Sequence, residues 1–295
     1  MDNLQHQSTA GSSHVGSGDK PSPPPSPRPS PTYTVAPTLP QPPYLPDTVL
    51  ESDEILNPAN LEVIAICGSG YVYRCPAGCA YKMHASRHEF DMMRAAGDCS
   101  VRPLSRVLRR TKTGQIRQRG ILMELATPFD VQAVAPCDRG AVKDEMVALV
   151  DRLHDEYNMV HGDIKPANLV RHRDGTLRFC DFDNARRTIP HDGEQPWDFA
   201  GHTSRYLSPR RRLGHESPPT KDDDRYALAA SLWELYTGED PPAHEDDWTV
   251  VGPRKPMDLA AVADDDAREY IRLIFEQHSA RVATRGATAK RGLCE

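Results

Sequence analysis

His161-Gly162-Asp163-Ile164-Lys165-Pro166-Ala167-Asn168-Leu169-Val170, followed by Arg178-Phe179-Cys180-Asp181-Phe182-Asp183, is the stretch on which the reading of this chain turns. At roughly one in twenty per position, His161, Asp163, Lys165, Asn168 and Asp181 would coincide by chance about once in a few million. The bland alternative is an ordinary helix-loop-hairpin with polar turn residues. Outward from it the patterns differ on the two sides. Before it, from Leu61 to Leu125, short apolar runs (Val63 to Ile66, Tyr71 to Tyr73, Ala80 to Met83, Ile121 to Leu125) alternate with Gly, Pro or polar turns, which predicts antiparallel strands. One helix interrupts them around Arg87 to Ala96. Immediately before the stretch, Val142, Met146, Val147, Val150 and Leu153 recur at helical spacings, and after it Tyr226 to Tyr236 is apolar on nearly every side. Strands first and helices later predict two lobes of an α+β protein.

The chain has 295 residues, 38% hydrophobic and 26% charged, with 27 prolines, and a mean hydropathy of −0.62. Twelve prolines fall between Pro21 and Pro46, among Ser, Thr and Gly, so residues 1–54 are expected to be a disordered leader unable to bury enough apolar area to order itself. Its Ser22-Pro23, Ser26-Pro27 and Ser30-Pro31 are candidate sites for proline-directed kinases, and Pro24 to Pro29 could dock on a proline-reading module, although a plain spacer has the same composition. Residues 279–295 are expected to be a disordered basic tail and residues 55–278 the folded domain, with lobes at about 55–127 and 128–278. The net charge of −6 argues against nucleic-acid binding, and no run reaches the apolar length of a membrane span. Seven cysteines without secretory spacing, and a start lacking basic and apolar leader regions, predict an intracellular protein, cytoplasmic or nuclear.

The quoted stretch resembles the catalytic loop and metal-binding motif of protein kinases, His-Arg-Asp-Leu-Lys-Pro-x-Asn followed by Asp-Phe-Gly. The resemblance implies a bilobal fold with a small antiparallel β N-lobe and a mainly α C-lobe, and ATP and Mg²⁺ as its small-molecule requirements. By position it makes Asp163 the acceptor of a hydroxyl proton, Lys165 the group that offsets phosphoryl charge, and Asn168 and Asp181 the metal ligands. His161 and Asp224 become structural supports, the aspartate buttressing the catalytic-loop backbone. Thr203-Ser-Arg-Tyr-Leu-Ser-Pro209 resembles the end of an activation loop, with Thr203 on the substrate platform. Further N-terminal, Ala80-Tyr81-Lys82 fits the strand whose lysine meets the nucleotide phosphates, with Glu89 its candidate helix partner and Asp91 the rival. The glycine loop would be Cys67-Gly68-Ser69-Gly70-Tyr71-Val72-Tyr73, in which Gly68, Gly70 and Val72 are the nucleotide-binding candidates, while Ala65 and Cys67 occupy the first two glycine positions. Met123-Glu124-Leu125 looks like a hinge, so Glu124 and Leu125 complete the ATP-binding set. Cys180 would face the nucleotide pocket. Cys75 and Cys79 have metal-like spacing but lack a second ligand pair.

Several departures carry expectations of their own. Gly162 replaces the usual arginine, so activation-loop phosphorylation should matter little. Asp183 replaces the glycine of Asp-Phe-Gly, which makes a flip of Phe182 harder. Arg210 replaces a glutamate whose ion pair fastens the loop. After Pro242 the only helical stretch read is Ala267 to Phe275, so the C-lobe is expected to be truncated after the central helix. Three functions follow: a protein kinase acting on Ser/Thr hydroxyls of a protein substrate, favoured by Lys165 and Thr203; a pseudokinase or nucleotide-binding scaffold without turnover; and a small-molecule phosphotransferase of the aminoglycoside or choline type, suggested by His-Gly-Asp and Asp-Phe-Asp.

Overall fold

Strand β5, Pro103–Arg110, shows how alternation builds the N-lobe: Pro103, Ser105 and Val107 are buried while Leu104, Arg106 and Leu108 are more exposed. A computed structural model describes residues 46–50, 58–67, 70–189, 203–213, 218–242 and 257–291. Around β5 it assembles β1 (Thr48–Leu50), β2 (Glu62–Cys67), β3 (Gly70–Arg74), β4 (Cys79–Met83) and β6 (Ile116–Glu124), in the order β1-β5-β6-β4-β3-β2. All neighbours are antiparallel except β1, which lies parallel to β5. Helix α1, Arg87–Ala95, begins where Ser86 accepts a hydrogen bond from the Glu89 amide, and buries Glu89, Phe90, Met92 and Met93.

The C-lobe opens with β7 (Thr127–Pro128), then α2 (Arg139–Asp155), which buries Val142, Met146, Leu149, Val150 and Leu153. Four short strands follow: β8 (Met159–Val160), β9 (Leu169–Arg171), β10 (Leu177–Phe179) and β11 (Arg186–Arg187). β10, β9 and β7 form one small sheet, and β11 pairs with β8. Short α3 (Pro209–Leu213) leads to α4 (Lys221–Thr237), which starts in a reciprocal cap between Thr220 and Asp223 and stops at Gly238, whose φ of 73° suits a left-handed end. Tyr226 to Tyr236 is buried at every position, so α4 is the centre of this lobe. Each large aliphatic side chain taken out of water there contributes about 1.5–3 kcal/mol. A parallel bridge between Ser100 and Phe179, with the Val101 amide donating to the Phe179 carbonyl at 2.9 Å, stitches the lobes together behind the site.

The sequence expectations are met in class and in lobe order, with corrections at the edges. Thr48–Leu50, expected in the leader, is a strand: the free edge of β5 offers unpaired backbone groups, and Arg106 holds Asp47 with two bonds of 2.9 and 2.5 Å. The rest of the leader expectation, with its Ser-Pro sites, lies outside the described residues. Helix α5 runs from Asp265 to Arg291, so the helical stretch read at Ala267 to Phe275 is longer and residues 279–291 are helical. Its Arg272 bonds Glu269 and Glu276 at helical spacing, support that an apolar-period search overlooks. β5, with its leading proline and three arginines, was not read as a separate strand. Among the described residues α5 is the one α-helix after α4, and no helix is long and apolar enough to cross a membrane.

Candidate active site

Asp163 stands on the loop between β8 and β9, and the backbone of that loop is fixed from below. Asp224 on α4 accepts the amide protons of His161 and Gly162, each at 2.8 Å, and the Nε2 proton of His154 at 2.9 Å. The His161 ring donates from Nε2 to the Cys180 carbonyl and accepts the Asp163 amide at Nδ1. It is sandwiched against Phe179 and Phe182, with ring centroids 4.8 Å away in each case. Burial holds the imidazole below its ordinary pKa, so it is neutral, in keeping with one donating and one accepting nitrogen. Both expected structural supports therefore sit at the loop; His154, which shares Asp224, was not anticipated.

Lys165 donates to Asp163 Oδ2 and to Thr203 Oγ1, both at 2.6 Å. The Thr203 amide donates to Asp163 Oδ1 at 3.2 Å. Asn168 directs its amide nitrogen to the Asp163 carbonyl (2.7 Å) and to Oδ2 (3.1 Å), which leaves its carbonyl oxygen as the atom it can offer a cation. Asp163, Lys165, Asn168 and Thr203 thus form one hydrogen-bonded group although Thr203 is 40 residues along the chain.

A second group forms around Lys82. Its ammonium lies 2.5 Å from Glu89, 2.6 Å from Asp181 and 3.7 Å from Asp183. Glu89, not Asp91, is therefore the helix partner: Asp91 is half-buried and meets Arg87 one turn away. Burial disfavours the Lys82 charge, yet the three carboxylates outweigh it and hold its pKa well above the usual lysine value. Burial pushes the Glu89 carboxyl above its ordinary value against the pull of Lys82, while Lys82 holds Asp181 below the ordinary aspartate range despite its burial. Asp181 adopts φ 65°, an unusual backbone for a non-glycine residue.

Lys82, Asn168 and Asp181 share a cavity of about 280 Å³ with apolar Ala65, Val72 and Met123. That is near the lower end for small-molecule pockets. Glu124 and Cys180 also line it, and burial pushes the Cys180 thiol up to about 12, which makes it a poor nucleophile. Leu125 packs on the core instead, and Glu124 spends its carboxylate on His172 at 3.0 Å. Gly70 is outside the cavity lining; a side chain there would meet the Met83 carbonyl at 2.8 Å, so close strand packing requires the glycine. Gly68 lies outside the described residues. The fit to a nucleotide and a divalent cation is favourable in chemistry: a partly apolar slot, a charged lysine, oxygen donors on Asn168 and Asp181, and a buried Glu89 Oε2 with no hydrogen-bond partner.

Two lobes joined at such a site, with an α1 acid on a strand lysine and the catalytic loop seated on α4, make up the protein kinase fold. The chain belongs to the protein kinase domain family, which it matches over residues 116–268, just over half its length. It is similar to serine/threonine-protein kinase gad8 of Schizosaccharomyces pombe, 32% identical over 97 residues, or 33% of this chain and 16% of that one. It is also similar to 3-phosphoinositide-dependent protein kinase 1 of Arabidopsis thaliana, 27% identical over 115 residues, covering 36% of this chain and 23% of the relative. A third relative is the human dual specificity mitogen-activated protein kinase kinase 7, 32% identical over 103 residues, with 32% and 23% covered. The chain thus spans less than a quarter of the length of each of these relatives.

Proposed function

We propose that this protein transfers the γ-phosphoryl group of ATP to Ser or Thr hydroxyls of a protein substrate inside the cell, with Mg²⁺ as the metal. The observation that carries the reading is the Asp163-Lys165-Thr203 group: a carboxylate held by a lysine that also grips the segment where a substrate hydroxyl would arrive. Asp163 orients the hydroxyl and accepts its proton, and Lys165 offsets charge on the moving group. Asn168 and Asp181 hold the cation, which neutralises phosphate charge when bound. Lys82, kept charged by its carboxylates, binds the nucleotide phosphates, with Glu89 setting its position. Ala65 and Val72 cover the base, and Glu124 lines the cavity where the base meets the chain. Family membership and the relative named as a serine/threonine-protein kinase support the same class.

The test is a radiolabelled transfer assay on a Ser/Thr peptide library with Mg·ATP, run beside the Asp163→Asn variant. Labelled peptide that disappears in the variant supports the proposal. Nucleotide binding with no transfer to peptides would favour a scaffold, and transfer to a small alcohol or amine a small-molecule phosphotransferase. Either result overturns it.

A further inference from the structure

Asp183 stands where the family motif has glycine, and its side chain closes a ring of contacts. Ser86 Oγ donates to Asp183 Oδ1 at 3.2 Å and accepts the Glu89 amide proton at 3.0 Å. Glu89 Oε1 accepts from Lys82, and Lys82 lies 3.7 Å from Asp183 Oδ2. One hydroxyl thereby gives its single proton to Asp183 and its lone pair to the α1 backbone, so no donor is shared. A second link runs alongside: His88 Nε2 donates to the Ala185 carbonyl at 2.8 Å. The first turn of α1 is thus joined at two points to the segment after Phe182, and a glycine at 183 could make neither the hydroxyl contact nor the ammonium contact.

Gly162 stands where the family motif has the arginine that pairs with a phosphorylated activation loop. Gly162 has φ 81°, and a side chain there would meet the Asn184 carbonyl at 2.7 Å and Pro219 at 3.0 Å. That cation is absent, while the contact between Asp183 and Ser86 is present.

We propose that Asp183 is a positioning residue that ties the α1 amino terminus to the Asp181-Phe182 segment and keeps Lys82 and Glu89 paired without activation-loop phosphorylation. Its effect on turnover rests on the phosphotransfer reading; the tie itself does not. A hydrogen bond to a charged group is strong enough to change local opening about tenfold.

The experiment is amide hydrogen exchange over α1 in the full-length protein without nucleotide, together with transfer kinetics, for wild type, Asp183→Ala, Asp183→Asn, Ser86→Ala and the Asp183→Ala/Ser86→Ala pair. Exchange in the first turn of α1 should rise about tenfold in Asp183→Ala, and less in Asp183→Asn, whose side-chain oxygen still accepts from Ser86. Asp183→Ala and Ser86→Ala should be non-additive in the double variant. Turnover should fall in Asp183→Ala, recover in large part in Asp183→Asn, and be unaffected by phosphatase treatment of wild type. Unchanged α1 exchange in Asp183→Ala overturns the proposal, as does activity lost on phosphatase treatment. If exchange responds as expected but wild type transfers no phosphate, the tie stands and the phosphotransfer reading falls.

Discussion

Arg210 grips Asp223 with two guanidinium nitrogens, Nε on Oδ1 and Nη2 on Oδ2, joining the start of α3 to the first turn of α4. Arg210 is the residue that replaces the family glutamate, so the fastening survives with its partner changed: the anchor is now an acid on α4. Asp223 is almost fully buried and also accepts from Ser208 and Thr220, whereas Arg210 is about a quarter exposed. Solvent screening on the arginine side limits the loss for Arg210→Ala to about 1–2 kcal/mol. Asp223→Ala also removes the Asp223 half of the reciprocal α4 cap and should lose about 2–4 kcal/mol. Urea unfolding midpoints measure both, and equal losses would mean that the cap carries nothing.

The same carboxylate sets a pH dependence. Burial opposes its ionisation, but hydrogen bonds from Arg210, Ser208 and Thr220 outweigh burial and hold its pKa below the ordinary 3.8. A depressed folded-state pKa means stability that is fully present above about 3.8 and is lost as pH falls through the folded value. The thermal midpoint of wild type should therefore drop more steeply below pH 4 than that of Asp223→Asn. Parallel curves would show that Asp223 does not contribute.

Gly162 and Gly78 separate two reasons for glycine. Both have positive φ, 81° and 74°, but Gly78 has open space where a side chain would point, while Gly162 faces Asn184 and Pro219. Gly78→Ala should cost about 1 kcal/mol, the backbone penalty alone. Gly162→Ala should cost about 2–4 kcal/mol, because overpacking adds to it. Equal chemical-denaturation losses would remove the crowding argument.

Asp163→Asn should lower the transfer rate about 10²–10⁴-fold, the usual range for a general base. It should leave the rise in thermal midpoint with Mg·ATP intact, since Lys82, Asn168 and Asp181 remain. Thr203→Ala should raise the KM for peptide through loss of the Lys165 contact, and Thr203→Ser should restore it. A nucleotide-induced shift that vanishes in Asp163→Asn would place that residue in binding rather than in chemistry.

The residues from His161 to Asp183 were legible because their partners are close in the chain: Lys165 and Asn168 reach Asp163 from two and five residues away. Asp224, 62 and 63 residues on, was legible only through the helix motif that contains it. Glu89 could be narrowed to two acids, since helical spacing alone does not say which face of α1 meets the sheet. Nothing in the neighbourhood of Ser86 points to Asp183, 97 residues away. The family match itself begins at Ile116, inside β6, leaving β1 to β5 and α1 beyond it.

The sequence by itself determined the two-lobed order of strands and helices and the position of the buried central helix, because each is written in local periodicity, while the roles in the loop came from its resemblance to the kinase motif. Tertiary structure alone decided that Lys82 sits among three acids, that Arg210 finds Asp223, that Gly162 has no room for a side chain, and that Thr48–Leu50 extends the sheet. These depend on where backbones far apart in sequence come to rest. A charge or a glycine does not specify its partner until packing has brought that partner within reach.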